Sequence, residues 1–108
     1  MKCWPLSLEK LDNGKNLKII FDDNAEFIIC SELLRVESPS AEVQGHSGPK
    51  KIIRNKKDIT IKKIEQIGNY AIRLIFSDDH SSGIYSWELL YNYGKNQKIL
   101  LEQYYNSL

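Results

Sequence analysis

The chain has few of the residues that cross-link small proteins. Its 108 residues include two cysteines, Cys3 and Cys30, and two histidines. Two cysteines that lie so far apart in sequence do not make a disulfide framework. We therefore expect a fold that is held by packing, in a protein of the reducing cytoplasm.

Long apolar runs are also missing. No stretch approaches the roughly 20 apolar residues that a helix needs to span a bilayer. Residues 1–5 contain no apolar core of the kind that marks a signal peptide. These absences favour a cytoplasmic location and no membrane partner.

Neither sign of charge dominates. Fifteen Lys and Arg residues stand against fourteen Asp and Glu residues, which gives a net charge of +1 and predicts no nucleic-acid partner. Residues 50–63 are locally basic, and we interpret them as a hairpin with solvated lysines. Docking of an acidic partner or a phosphate to this segment is the less favoured alternative.

The first half of the chain has the pattern of strands. The Asp12-Asn13-Gly14 turn lies between the apolar stretches 6–11 and 17–21, and an Asn-Gly turn flanked in this way is typical of a β-hairpin. Residues 25–29 predict a third strand, and Ser31 predicts the N-cap of a short helical turn.

The second half returns to strands and then changes to a helical period. Trp87 lies on the apolar stripe of the first helical stretch, which makes it a core residue, and Ser86 is the predicted N-cap. We expect Gly94 to end that helix before a last one begins. The size predicts a single domain, residues 1–108. Its fold class is α+β, an antiparallel β-sheet of short strands packed against one or two C-terminal helices. The predicted strands of this half are residues 52–54, 60–67, 70–76 and 83–86.

Residues 37–50 form the least regular stretch. Ser, Pro, Gly, Gln and His dominate it, and large apolar side chains are almost absent. A long irregular loop in so small a domain is uncommon and often functional. The pattern leaves two interpretations open, a solvated connection and a recognition loop.

Two segments carry a family resemblance. The first runs from Leu34-Arg35 to His46 and contains Ser38-Pro39-Ser40, and the second runs from Ser77 to Trp87. Together they resemble the N-terminal domain of gamma-butyrobetaine hydroxylase and short bacterial proteins built on it. In the hydroxylase domain, three cysteines of the first segment and a histidine of the second bind zinc. The corresponding residues here are Ser38, Ser40, Val43 and His80, so the resemblance implies the fold and argues against its metal site.

A different metal site is the alternative. His46 and His80 could meet across the loop, with Glu42 or Asp78 nearby. Two imidazoles and a carboxylate suit iron or zinc with open positions. We nevertheless expect no cofactor, because a histidine in a polar Asp-Asp-His turn is more often a hydrogen-bonding residue than a ligand.

Catalysis is not expected. Ser38, His80 and Asp78 are among the residue types of a Ser-His-Asp triad, but residue types alone make no constellation, and no Gly-x-Ser-x-Gly elbow is present. The hydroxylase's chemistry belongs to a separate, larger barrel domain that 108 residues cannot also encode. We therefore predict that the protein is not an enzyme.

The resemblance implies an accessory domain that binds another protein. Similar domains are fused to P-loop scaffold ATPases of iron–sulfur cluster assembly, and the hydroxylase's own copy packs against its catalytic domain.

For Arg35 the alternative role is an internal clamp on Glu37 or Glu42. A homo-oligomer through the Leu- and Tyr-rich C-terminal helix stays open. The candidate partner-binding residues are Arg35, Glu42, Gln44, His46, His80 and Tyr85.

Overall fold

The computed structural model describes residues 3–45 and 48–108, and it confirms the α+β class. Six strands within those residues form two three-stranded antiparallel sheets, instead of the one sheet that the sequence predicts. The strands are β1 (Pro5–Leu11), β2 (Asn16–Phe21), β3 (Glu26–Cys30), β4 (Ile61–Ile67), β5 (Ala71–Phe76) and β6 (Ile84–Ser86). The helices are α1 (Ser31–Val36), α2 (Ala41–Gln44) and α3 (Trp87–Asn106).

The first sheet has the order β1-β2-β3, and its hairpin turn is the predicted one. Asp12–Gly14 forms a short 3-10 turn in which Asn13 and Gly14 have positive φ, 57° and 91°. A Cβ on Gly14 would lie 2.3 Å from the carbonyl oxygen of Ile61 at the start of β4. Glycine is therefore needed here both for the backbone conformation and for the close approach of the second sheet.

The second sheet has the order β4-β5-β6. Its central strand corresponds to the predicted strand 70–76. Ile72, Leu74 and Phe76 are buried on one face, whereas Tyr70, which the alternating pattern of the sequence places on the same face, lies before β5 and is exposed. Directly after β5 the chain turns back on itself, and the N–H of Phe76 donates to the carbonyl of His80 (3.0 Å). The end of a buried strand thus fixes the backbone position of His80.

A shared hydrophobic core joins the two sheets to α1 and to the first half of α3. Trp87 is buried, as predicted, and its indole N–H donates to the carbonyl of Asn69 (2.9 Å). Ser86 caps α3, also as predicted, by accepting from the N–H of Leu89 (3.1 Å). The most deeply buried members are Leu17, Ile19, Phe21, Ile29, Leu33, Leu34, Ile72, Leu74, Phe76, Tyr85 and Leu90.

The predicted strand 52–54 and the basic hairpin are wrong. Residues 48–60, all of which the structure describes, form neither a strand nor a helix. The segment is held by other elements instead: Tyr104 of α3 donates to the carbonyl of Ile53 (2.5 Å), and the N–H of Lys51 donates to the carbonyl of Val43 (2.8 Å). Because these bonds run to a helix and a loop, no strand pairing sets a β conformation.

Gly94 does not end the helix. The two predicted helices form one element of 20 residues, with a local departure from helical geometry at Asn96 (φ −109°, ψ 15°). Gly94 lies against β3, where a Cβ would sit 2.3 Å from Cγ of Phe27. Glycine is present here to let the helix approach the sheet, and not as a C-cap.

Helix α3 also covers the open edge of the first sheet. The side-chain amide of Gln97 donates to the carbonyl of Ile28 (2.9 Å) and accepts from the N–H of Cys30 (2.8 Å). A neighbouring strand would make the same two bonds, so Gln97 satisfies edge groups that could otherwise pair with another chain.

Ser31 and the loop 37–50 also differ from expectation. Ser31 starts α1 without capping it, and its hydroxyl donates to the carbonyl of Ile59 (2.6 Å). The loop contains the short helix α2. In the part of the chain that the structure describes, no helix has the length and apolar character needed to cross a membrane.

Candidate functional site

The candidate site lies where α1, α2 and the turn after β5 meet. Ser38 and Ser40 lie between α1 and α2, and His80 lies at the end of the turn. The Ser38–Ser40 segment of the loop and the His80 turn are side by side, since Oγ of Ser38 lies 2.9 Å from Nε2 of His80. A Cβ on Gly83 would lie 2.4 Å from Oγ of Ser38, so the chain after the turn packs directly on the serine.

The imidazole of His80 is the centre of a buried hydrogen-bonded group. Its Nε2 lies 2.9 Å from Oγ of Ser38 and 3.5 Å from Oγ of Ser40, and its Nδ1 lies 3.3 Å from Oε2 of Glu42. His80 is 8% exposed, whereas Glu42 is largely exposed and closes the group on the solvent side. We call Ser38, Ser40, Glu42 and His80 the His80 array.

The surroundings favour the neutral imidazole. Burial lowers the pKa of His80, the charge of Arg35 lowers it further, and together they outweigh the opposing carboxylates of Glu42 and Asp78. The carboxylate of Glu42 beside Nδ1 favours the tautomer with the proton on that nitrogen. In that tautomer Nε2 accepts from the hydroxyl of Ser38.

Arg35 is tied to the same turn through Asp78. Its Nε lies 2.8 Å from Oδ2 of Asp78, which Lys56 Nζ also contacts at 2.8 Å, and Oδ1 accepts from the N–H of His80 (3.1 Å). Burial raises the pKa of Asp78, but the hydrogen bonds from Lys56, Arg35 and His80 prevail and hold it well below its usual range. The proposed clamp on Glu37 or Glu42 is therefore wrong, because Arg35 binds Asp78 instead.

The remaining predicted site residues have internal contacts or lie outside the described residues. Tyr85 is fully buried and donates to the carbonyl of Leu34 (2.5 Å), and burial raises its pKa. Gln44 donates to the carbonyl of Ser38 (2.9 Å) and so braces the loop. His46 lies outside the described residues. Partner binding by these residues stays a prediction, and the burial of Tyr85 leaves it a positioning role.

Zinc does not fit the residues at the four positions that the resemblance identifies. His80 offers one imidazole, Ser38 and Ser40 offer neutral hydroxyls that already contact it, and the buried Val43 offers hydrocarbon. Within residues 3–45 and 48–108, no group of three or more His, Cys, Asp or Glu side chains is placed to hold a metal ion. The alternative site of His46 and His80 stays a prediction, because it depends on His46.

The order Ser38–His80–Glu42 has the form of a hydrolase triad, but its burial argues against nucleophilic catalysis. The side chain of Ser38 is 0% exposed. The backbone N–H of Ser38 donates to the carbonyl of Arg35 (3.3 Å), so this N–H is not free to stabilise an oxyanion. Gly83 fills the space beside the hydroxyl. The oxygen of Ser38 is closed to solvent, and the array joins the segments around α1, α2 and the turn after β5.

Two contacts of the site have no local signal in the sequence. Glu42 and His80 are far apart in the chain, as are Arg35 and Asp78, and no spacing rule pairs them. Ser38 and Ser40 give a weaker signal. Of the three positions that hold cysteine in the hydroxylase domain, these two carry a hydrogen-bonding hydroxyl group here, whereas Val43 does not.

Comparison with known proteins finds one matching family and several similar solved structures. The family described as "Gamma-butyrobetaine hydroxylase-like, N-terminal" matches residues 8–91. A solution NMR structure is similar at 42% identity and a TM-score of 0.83, covering 97% of this chain and 79% of that one. A second NMR structure is similar at 32% identity and a TM-score of 0.83, covering 97% and 83%.

A crystal structure from Acidithiobacillus ferrooxidans ATCC 23270 is similar as well. It is described as a protein with unknown function of the DUF971 family, with 30% identity, a TM-score of 0.67 and coverage of 80% of this chain and 86% of that one. Comparison with the curated proteins found no significant match.

Proposed function

Because the chain belongs to the gamma-butyrobetaine hydroxylase-like N-terminal family, we propose that it is a non-catalytic accessory domain that binds another protein in the cytoplasm. The observation that carries this proposal is the closure of the His80 array. Nε2 of His80 is hydrogen-bonded to Ser38, Nδ1 lies 3.3 Å from the carboxylate of Glu42, and Ser38 is sealed from solvent. A polar group of this kind performs no chemistry on a substrate, but it fixes the surface above it.

The exposed residues next to the array in the chain are Ala41 and Glu42, which follow Ser40, and Ser81 and Ser82, which follow His80; we call these four residues the α2 face. The N–H of Ser40 donates to Oγ of Ser38 (3.4 Å), and Ser38 is bonded to His80, so the two chain segments are fixed to each other and little conformational entropy would be lost on docking. A polar face of this size suits a transient interface rather than an obligate one.

The partner class that we propose is the machinery of iron–sulfur cluster assembly. The support is the resemblance to domains that are fused to P-loop scaffold ATPases. A domain that works in this setting needs a preformed surface and no catalytic residue, which agrees with an inward-facing array.

The experiment is affinity capture with a matched pair of variants. Glu42 and Glu102 are both exposed helical glutamates, one on the α2 face and one on α3. We expect Glu42→Arg to reduce capture of the partner and Glu102→Arg to leave it unchanged, at a temperature at which circular dichroism shows both variants to be folded. Equal capture by the two variants would count against the α2 face, and a captured set without a P-loop ATPase would count against the assembly role.

A further inference from the structure

Helix α3 is divided in two by a run of poor helix formers. Asn92, Gly94 and Asn96 lie within five consecutive positions, and each favours a helix less than alanine does. At Asn96 the backbone leaves helical geometry (φ −109°, ψ 15°), and the side-chain amide donates to the carbonyl of Asn92 (3.1 Å). A side chain that binds a helix carbonyl in this way competes with the backbone and weakens the helix at that point. We call residues 97–108, which follow this break, the strap.

The two sides of the break differ in how they are buried. Three side chains before it belong to the hydrophobic core, Trp87, Leu90 and Tyr93. Within the strap, all of which the structure describes, only Tyr104 is buried, and it lies outside that core. Leu100 and Leu101 are half-buried against the core. Because burial of apolar surface supplies most of the free energy that holds an element in place, the strap is held more weakly than the first half of α3.

Side-chain hydrogen bonds tie the strap to three other parts of the chain. Gln97 bonds to the carbonyl of Ile28 and the N–H of Cys30 on the edge of β3. Tyr104 donates to the carbonyl of Ile53 in the irregular segment, and Tyr105 donates to Glu32 of α1. On opening, each of these bonds is exchanged for bonds to water, so the net resistance that each one gives is small.

We propose that the strap opens as one unit about Asn96 while the rest of the domain stays folded. Opening removes both bonds of Gln97 and so uncovers the edge of β3, which is the part of a sheet that can pair with another strand. It also releases the carbonyl of Ile53. The domain thus has a second, open form that is reached below the free energy of global unfolding. This device goes beyond the proposed function and does not depend on the α2 face.

Native-state hydrogen exchange of the full chain, followed by NMR residue by residue, tests the proposal. The amides of residues 101–106 have their helical acceptors inside the strap. We expect these amides to share one protection factor, about tenfold or more below that of residues 91–95 and of β2. Equal protection on both sides of Asn96 would overturn the proposal, because the strap would then open only with the whole domain. A steady decrease toward Leu108 without a step at Asn96 would overturn it as well, since that is ordinary fraying of a helix end.

A matched pair of variants separates opening of the strap from global unfolding. Tyr104 and Tyr93 are both buried, and each donates to a backbone carbonyl at 2.5 Å, that of Ile53 and that of Glu37. Tyr104→Phe should speed the exchange of residues 101–106 by about fivefold, because the lost bond is one that opening breaks. Tyr93→Phe should leave their exchange unchanged, because its bond is kept in the open form, although it speeds the exchange of β2. Equal acceleration of the strap amides by the two variants, or no acceleration by Tyr104→Phe, would overturn the proposal.

Discussion

Oγ of Ser38 lies 2.9 Å from Nε2 of His80, although 42 positions separate the two residues in the chain. The hydroxylase domain that the chain resembles has a cysteine at the position of Ser38, and that cysteine binds zinc. A structural zinc site can contribute about 10–16 kcal/mol to folding, whereas a hydrogen bond contributes about 1 kcal/mol net. The hydrogen bonds of the array therefore contribute far less to the free energy of folding than a zinc site would. It keeps buried polar groups satisfied, and the hydrophobic core stabilises the fold.

The Ser38 hydroxyl should matter more than any exposed serine. Ser38→Ala leaves the Nε2 of a buried histidine without its main partner, and we expect the free energy of unfolding to fall by about 1–3 kcal/mol. Urea unfolding measures the change. Ser82→Ala, at an exposed position of the same region, should stay within about 0.5 kcal/mol of the unchanged protein. Indistinguishable values for the two variants would contradict a structural role for the array.

The lowered pKa of His80 predicts a loss of stability in mild acid. The unfolded histidine takes up a proton near its ordinary pKa of about 6.5, while the folded one resists protonation. The contribution of His80 to the free energy of unfolding is therefore fully present above about pH 6.5. It is lost as the pH falls through the lower pKa of the folded state. Asp78 also has a lowered pKa, but its contribution is lost only below about pH 3.9, the ordinary pKa of aspartate.

Melting temperatures between pH 7.5 and 5 check this expectation. We expect a decline for the unchanged protein and a flatter profile for His80→Gln, which cannot take up the proton. His46 is present in both proteins, so the difference between the profiles belongs to His80. Parallel profiles would show that His80 keeps its ordinary pKa in the folded state.

Gly94 offers a test of the contact between α3 and β3. An alanine within an exposed helix normally gains about 1 kcal/mol over glycine. Here the added methyl would meet Phe27 at 2.3 Å, so we expect Gly94→Ala to lower the free energy of unfolding by about 1–3 kcal/mol. Lys95→Ala, at the next, solvent-facing position, is the control and should have a small effect. A stabilised Gly94→Ala protein would mean that the helix does not approach the sheet so closely.

The elements that the sequence predicts well are those with local signals. The Asn13-Gly14 turn requires positive φ, the alternation of Ile72, Leu74 and Phe76 shows a buried strand face, and the Ser86 cap starts a helix. Each depends on neighbours a few residues away, which is the range that periodicity and turn chemistry describe.

The features that the sequence predicts badly depend on contacts between residues far apart in the chain. Gly94 has the local features of a helix end, but its role is set by Phe27 on another element. Arg35 has carboxylates close by in sequence and nevertheless binds Asp78, because the turn after β5 brings that residue to it. The family resemblance brings the loop and the His80 turn together, while the hydrogen-bonding pattern between them required coordinates.

The metal content of the purified protein tests the central claim most directly. Protein isolated without chelator is analysed for zinc and iron beside His80→Ala and beside Ser38→Cys/Ser40→Cys/Val43→Cys, which restores three thiols next to His80. We predict far less than one metal ion per chain in the unchanged protein and about one zinc ion in the triple variant. A stoichiometric ion in the unchanged protein that disappears in His80→Ala would contradict an array held by hydrogen bonds and packing alone.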